Sequence, residues 1–388
     1  MNYALNRYDF LVVGGGPVGS HVATGLAKAG YQVAVLEKSH FVGGKVCCTG
    51  IVSRECIEKF RFPTELIQRE LYAASVFSPM DTELSIGREE VQAVVVDRGG
   101  LNAYLAREAQ ESGADYYLRC KVDGIKVNAD GVRVSATDNG IKNYFYAQAI
   151  VMACGFAPRF MRSLGLGLGN KWVVGAQVEV EVSDLSKVEV FLGNTIAPGY
   201  FAWLVPVNEG MALAGLMTER DAPCYMRAFL DLLHNKNRIT RTLGKTSYRG
   251  ITLRSSSKVF SDRVLLVGDA AGQVKPLTGG GLFFGMLCAD VAVTSLGQAM
   301  EKGDFSADGL RSYERATHSL IGRELRLGWW GHCMFKRLSD WRIDWLMNWA
   351  NRRGVAQKLS ESDSISFDWH GEAMKNLLKH AFLPLRKE

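Results

Sequence analysis

Residues 9–38 read DFLVVGGGPVGSHVATGLAKAGYQVAVLEK, and the order in this stretch of apolar run, glycine turn, helical run, apolar run and acid decides the fold. Residues 9–13 are a short apolar run stopped by glycine, the pattern of a strand buried in a parallel sheet. Gly14, Gly16 and Gly19 satisfy G-x-G-x-x-G, and Val22, Leu26 and Ala29 follow at helical spacing. A second apolar run ends on Glu37, at the distance of about 20 residues expected of the ribose-binding acid in a dinucleotide fold. Gly14 and Gly16 let the backbone turn tightly and approach a pyrophosphate. The helix opening near Val18 directs free N–H groups at the negative charge, and Gly19 lets that helix pack closely on the strand.

The 388 residues allow several lobes with a substantial core. Hydrophobic residues make up 47% and charged residues 22%, and no charge-free apolar run has spanning length, so a transmembrane helix is not expected. The opening MNYALNRYDFLVV lacks the basic, apolar and small-residue order of a signal peptide, which predicts a cytoplasmic protein. Eight cysteines, at 47, 48, 56, 120, 154, 224, 288 and 333, form no CxxC and no Cys/His spacing suited to zinc or an iron–sulfur cluster. Most are expected to be reduced and buried.

A second glycine-rich turn lies late in the chain. Residues 259–289 run from an apolar strand through Asp269 and the glycines 279–281 into a helical pattern. Asp269, at a strand end, suits a ribityl hydroxyl, and the bare glycines suit a flat ring or a phosphate. A site drawn from both ends of the chain fits a long dinucleotide, FAD.

Three stretches, GGGPVGS, DRGGLNAYLAREA with Arg98, and GDAAGQVKPLTGGGLFFG, resemble the flavoprotein superfamily of para-hydroxybenzoate hydroxylase type. Within it the chain is similar to the geranylgeranyl reductase family over roughly residues 8–300. The resemblance implies an α/β fold: a Rossmann-like FAD-binding domain with an inserted antiparallel β-sheet substrate domain and a helical C-terminal region. The FAD-binding domain is expected in three parts, 1–75, 97–170 and 251–310. Substrate-domain strands are expected at 76–96 and 171–250, and helices over 311–388. Alternating stretches such as VVGAQVEVEVSD, 173–184, agree with antiparallel strands covered on one face.

By the same resemblance, the activity is FAD-dependent saturation of carbon–carbon double bonds in isoprenoid lipids. FAD contacts are implied at Val18, Glu37, the segment of Cys47, Cys48 and Gly50, Arg98, the strand around Val122, and Asp269, Gly281 and Leu282. The family places a Lys-x-Cys-Gly pattern against the flavin; Lys45 and Cys47 match it, and Cys48 replaces the glycine. Cys47 is the candidate catalytic thiol, facing the alkene and relaying a proton, the alternative being a small residue that fills space. A Cys47–Cys48 disulfide is disfavoured, because adjacent Cα atoms lie about 3.8 Å apart and disulfides prefer about 4.4–6.8 Å. Cys154 stands where the family often has an aspartate before glycine.

PGYFAWLVP, residues 198–206, resembles the family's substrate-side P-x-x-Y-x-W-x-F-P. Trp203 matches, whereas Phe201 replaces the tyrosine and becomes an apolar wall; Tyr200 is expected on the opposite face. Six of the eight tryptophans lie beyond residue 328, and Leu338, Trp341, Trp345 and Trp349 form one helical stripe with Lys336, Arg337, Arg342, Arg352 and Arg353 around it. Such a stripe suits a peripheral membrane contact or a roof over a substrate cavity, and both readings stay open. Nucleic acid is not an expected partner, since acids are interleaved with these bases.

With a single dinucleotide fingerprint there is no separate nicotinamide domain, so NAD(P)H or a ferredoxin is the expected electron donor. A monooxygenase or halogenase on the same scaffold, or a flavin-binding membrane-associated electron-transfer protein, are the competing functions.

Overall fold

The computed structural model describes residues 6–44, 46–138, 140–163, 165–166, 172–253, 258–361 and 367–369. The chain forms two compact units: Met1–Val46, Arg98–Trp172 and Ile251–Gly322 make the first, and Cys47–Asp97, Val173–Gly250 and Arg323–Glu388 make the second.

The first unit is built on the strand Asn6–Val13, which pairs in parallel with Val33–Leu36 on one side and Ile141–Met152 on the other. Asp115–Tyr117 extends the parallel sheet beyond Val33–Leu36, and Val264–Leu266 extends it beyond Ile141–Met152. Phe10, Leu11 and Val12 are fully buried, as a strand covered on both faces requires. Two antiparallel strands, Cys120–Asn128 and Gly131–Asp138, fold back onto Ile141–Met152. The helix Pro17–Lys28 packs against the helices Arg98–Glu111 and Leu282–Lys302. A Cβ on Gly25 would come within 2.7 Å of Val293, so the missing side chain sets how closely two of these helices approach.

Leu282–Lys302 is long and apolar enough to cross a membrane by length and composition, yet 61% of its most apolar window is buried in the fold. It serves as a core helix here.

The second unit centres on a seven-stranded sheet in the order Arg241–Thr252, Trp172–Glu181, Met211–Thr218, Phe201–Asn208, Val188–Leu192, Ala73–Phe77, Glu83–Gly87. The described pairings are antiparallel except that of Val188–Leu192 with Ala73–Phe77, two strands separated by a long excursion of the chain through the first unit. One face packs Ala176, Val178, Ala202 and Leu204 against Met226, Phe229 and Leu233 of the helix Ala222–Asn235. On the other face, Val188 and Val205 meet Leu71, Ala93 and Val95 of a small antiparallel sheet. Further along, Leu84 packs with Ile343 and Met347 of the helix Asp340–Arg352. The architecture is the one the sequence predicts: an α/β nucleotide-binding domain, an inserted mainly antiparallel sheet and a helical C-terminal region.

Candidate active site

The glycine turn of the first unit closes tightly. Gly14 has φ +108°, and a Cβ there would lie 2.5 Å from Ala153 O, so the backbone bends where no side chain fits. A Cβ on Gly19 would lie 2.0 Å from Gly14 O, which holds the helix start against the turn. The helix Pro17–Lys28 has Gly16 at its N-cap and no side-chain cap, and the space around Gly16 is open to 4 Å. Its first N–H groups are therefore available to an anion. Both Glu37 oxygens are held from the backbone: Gly15 N–H donates to Oε2 at 2.7 Å and Ser39 N–H to Oε1 at 2.8 Å. The carboxylate is thus fixed in place, with lone pairs left over for two hydroxyls.

Val18 connects this turn to the late motif. Cβ atoms on Gly268 and Gly285 would approach its side chain to 3.2 and 2.7 Å. Asp269 lies in the short turn Gly268–Ala271, and a Cβ on Gly281 would stand 2.7 Å from its Oδ1. Gly281 is the N-cap of Leu282–Lys302, again without a side-chain cap. The first turn and the late turn, some 250 residues apart in sequence, therefore meet within one unit.

Arg98 opens the helix Arg98–Glu111, and its Nε and Nη1 are buried with no hydrogen-bond partner among the described residues. Buried guanidinium nitrogens left without acceptors are costly, and the oxygens of a dinucleotide are acceptors that would suit them. Val122 is half-buried on Cys120–Asn128, opposite Ala136. These residues fit FAD: two uncapped helix starts for anionic or electron-rich groups, two carboxylates for hydroxyls, and a cation in search of acceptors.

Cys47, Cys48 and Gly50 belong to the second unit. The Cys47 thiol faces Ser247 O at 3.5 Å and Gly175 O at 3.8 Å. Burial pushes it up to about 11, with Cys48 adding to the shift and Arg249 opposing it, so the sulfur keeps its proton at neutral pH. Cys47 and Cys48 are free thiols. Thr49 donates to Gln177 Oε1 at 3.0 Å, and Gly50 O accepts from Val96 N–H at 2.9 Å. Lys45 lies outside the described residues. In the first unit burial also raises Cys154 to about 11, so the position where the family often has an acid carries a neutral group.

Phe201 and Trp203 alternate onto one face of the large sheet, with ring centroids 6.0 Å apart. Strand register aligns Gln177, Gly215, Trp203 and Val190 in one row across four strands. The loop that carries Cys47 is tied to that row through Thr49 and Gln177. The Trp203 indole Nε1 is buried and has no partner among the described residues. Gln177, Thr49 and Gly215 join the candidate site, although no sequence motif marks them: Gln177 alternates with the core residues Ala176 and Val178, so the local pattern puts it on the polar phase with Glu179 and Glu181. Tyr200 is 1% exposed and stacks on His332.

The C-terminal stripe is exposed in part: Leu338 packs beside Ile343 and Met347, and Trp349 is half-buried. On Asp340–Arg352 the buried side is Ile343, Asp344 and Met347, whereas Trp341 and Trp345 are 64% and 59% exposed. Asp344 points inward because its Oδ1 accepts from Ser78 Oγ and from Met80 N–H at 3.0 Å. Arg342 and Arg353 lie over the Trp341 and Trp349 rings at 5.3 and 5.7 Å. Trp330 and Met334 on Ala307–Phe335 are also exposed.

One long, anionic and hydroxyl-rich ligand answers the helix starts, the carboxylates and Arg98 together, and the fold is that of an FAD-dependent oxidoreductase. The sequence pattern of a family described as an FAD binding domain matches residues 7–325, and the chain belongs to that family. The chain is 28% identical over 372 residues to a digeranylgeranylglycerophospholipid reductase of Methanocaldococcus jannaschii, a match covering 92% of this chain and 88% of that protein. Among solved structures, it is similar to a geranylgeranyl bacteriochlorophyll reductase-like protein of Thermoplasma acidophilum, with TM-score 0.84, 23% identity and coverage of 97% and 100%. A flavin-dependent brominase shares the fold at TM-score 0.69 and 16% identity, covering 97% of this chain and 99% of the brominase chain.

Proposed function

We propose that the protein saturates carbon–carbon double bonds of an isoprenoid lipid. The observation that carries this reading is Cys47, a thiol that stays protonated at neutral pH and whose loop is bonded to the sheet row of Trp203. The names of the relatives supply the isoprenoid class.

FAD, when bound, supplies the hydride equivalent for one alkene carbon. Gly14, Gly16, Gly19 and Val18 would admit its pyrophosphate, and Arg98 would neutralise charge and find its missing acceptors. Glu37 and Asp269 would hold hydroxyls, with Val122, Gly281, Leu282, Cys48 and Gly50 giving close backbone contact. Cys47 would hold the proton for the second alkene carbon. Phe201 and Trp203 would exclude water and align the chain, and each CH₂ they bury adds about 0.8 kcal/mol to positioning. The segments 76–96 and 171–250 are the proposed substrate domain. NAD(P)H or a ferredoxin would reduce the FAD from solution, and the exposed Trp330, Trp341 and Trp345 with their arginines would rest on a lipid surface where the substrate resides.

The test is anaerobic. Flavin-loaded protein is reduced with dithionite, mixed with geranylgeranyl lipids, and the lipids are analysed by mass spectrometry. Products that gain one H₂ per double bond as the flavin reoxidises support the proposal; reoxidation with unchanged lipid overturns it.

A further inference from the structure

Residues 193–200 connect the strand Val188–Leu192 to Phe201–Asn208, and the strand ends Leu192 and Phe201 pair across this loop. The loop is held from inside by Ala197 N–H to Gly193 O and Tyr200 N–H to Ala197 O, each 2.9 Å. It is held from outside by the last turns of the helix Ala307–Phe335 and the residues that follow. Tyr200 Oη lies 3.1 Å from His332 Nε2, and the two rings stack with centroids 4.4 Å apart and planes 20° from parallel. Both side chains are almost fully buried, at 1% and 2% exposure.

Around this pair, Glu219 Oε1 is 3.9 Å from His332 Nε2, and Lys336 closes on Glu219 Oε2. The Lys336 stem lies 3.6 Å from where a Cβ on Gly199 would sit, and Gly199 has φ +79°, a left-handed backbone at the mouth of the strand. At the far end of the loop, Asn194 N–H and Nδ2 donate to Asp340 Oδ1 at 2.8 and 3.0 Å, and Nδ2 also donates to Leu338 O at 2.9 Å. Both ends of the loop are therefore fastened to the helical C-terminal region.

The proposed chemistry uses none of these groups. A buried tyrosine hydroxyl with a buried partner nevertheless stands one residue before Phe201. We propose that Tyr200 and His332 are positioning residues for the substrate wall: their hydrogen bond sets the loop 193–200 and thereby the place of Phe201. The role in substrate binding rests on the function proposed above; the role in holding the loop does not.

Burial keeps His332 below its ordinary pKa, against the pull of Glu219 and with the help of Lys336, so at neutral pH the ring is uncharged, and in the tautomer protonated at Nδ1 its Nε2 accepts from Tyr200. Acidification turns Nε2 into a donor and costs the Tyr200 hydroxyl its acceptor. The charged and titratable groups facing the pair are Glu219 after the strand Met211–Thr218, and Lys336 and Cys333 on the helix.

The experiment uses flavin-loaded Tyr200→Phe, His332→Leu and His332→Gln. The first two remove the bond, whereas the Gln amide restores an acceptor near the position of Nε2. Hydrogen exchange without lipid is read first: amides of residues 199–203 exchange about tenfold faster in Tyr200→Phe and His332→Leu and return toward wild type in His332→Gln. With geranylgeranyl lipid, KM rises about fivefold in the same two variants at nearly constant kcat and flavin content, and the rise of KM on acidification is absent in His332→Gln. Unchanged local exchange in Tyr200→Phe overturns the proposal, as does a parallel loss of kcat, flavin and global stability, which marks a structural role alone. If exchange responds as stated but wild-type protein reduces no isoprenoid, the substrate reading falls and the loop assignment stands.

Discussion

The Trp203 indole occupies the space that a side chain on Gly215 would need: a Cβ there would lie 2.5 Å from Trp203 Cζ2 and 2.7 Å from Ala176 O. The new methyl would be caught between the indole and the Ala176 backbone, so the ring must shift. Gly215→Ala should therefore lower unfolding stability by about 1–3 kcal/mol and displace Trp203. Denaturant unfolding measures the first effect, and KM for a geranylgeranyl lipid the second; Ala214→Gly on the opposite phase of the strand should leave KM unchanged.

Arg98 gives a test of cofactor binding that needs no substrate. Its Nε and Nη1 are buried without partners among the described residues, and FAD is the proposed source of their acceptors. Arg98→Met should weaken FAD binding about 10- to 100-fold while the apoprotein stays folded, read by flavin fluorescence on titration. Retained affinity would remove Arg98 from the cofactor site.

Cys47 should act through its proton. Cys47→Ala is expected to lower turnover about 100-fold at unchanged flavin content, with Cys47→Ser intermediate because a hydroxyl also donates. Wild-type turnover should be flat through neutral pH and fall as the thiol ionises toward about 11. Equal turnover in both variants would leave Cys47 a space-filling role.

The same shift has a consequence for stability. Burial raises Cys47, Cys120 and Cys154 from an ordinary 9.0 to about 11 in the fold. Between those values the unfolded chain holds fewer protons than the native one, so stability should decline as pH rises from about 9 to about 11. Denaturant midpoints across that range check the sign; Cys47→Ala should flatten the slope.

Trp341 and Trp345 are exposed on a helix whose buried side is Ile343, Asp344 and Met347. Replacing both with Ser should change unfolding stability by less than about 0.5 kcal/mol per site. Sedimentation with anionic vesicles should fall several-fold if this face meets lipid. Vesicle binding equal to wild type would assign the contact elsewhere.

The sequence alone determines the nucleotide-binding half. Strand, glycine turn, helix and Glu37 fall within thirty consecutive residues, and each is dictated by local backbone sterics and local apolar period, so the reading of residues 9–38 is also the structure. The late turn at Asp269 is legible for the same reason. Helical period likewise draws the tryptophan stripe on Asp340–Arg352, but period is blind to direction: the bond from Ser78 to Asp344 turns the polar residue inward and the tryptophans out. What only tertiary structure decided lies across long separations. The Cys47 thiol finds Gly175 and Ser247, Trp203 finds the bare Gly215, and Tyr200 finds His332. Strand order and register bring those partners together, and they depend on the summed packing of two sheet faces and a helical cover, which no local pattern in one chain encodes.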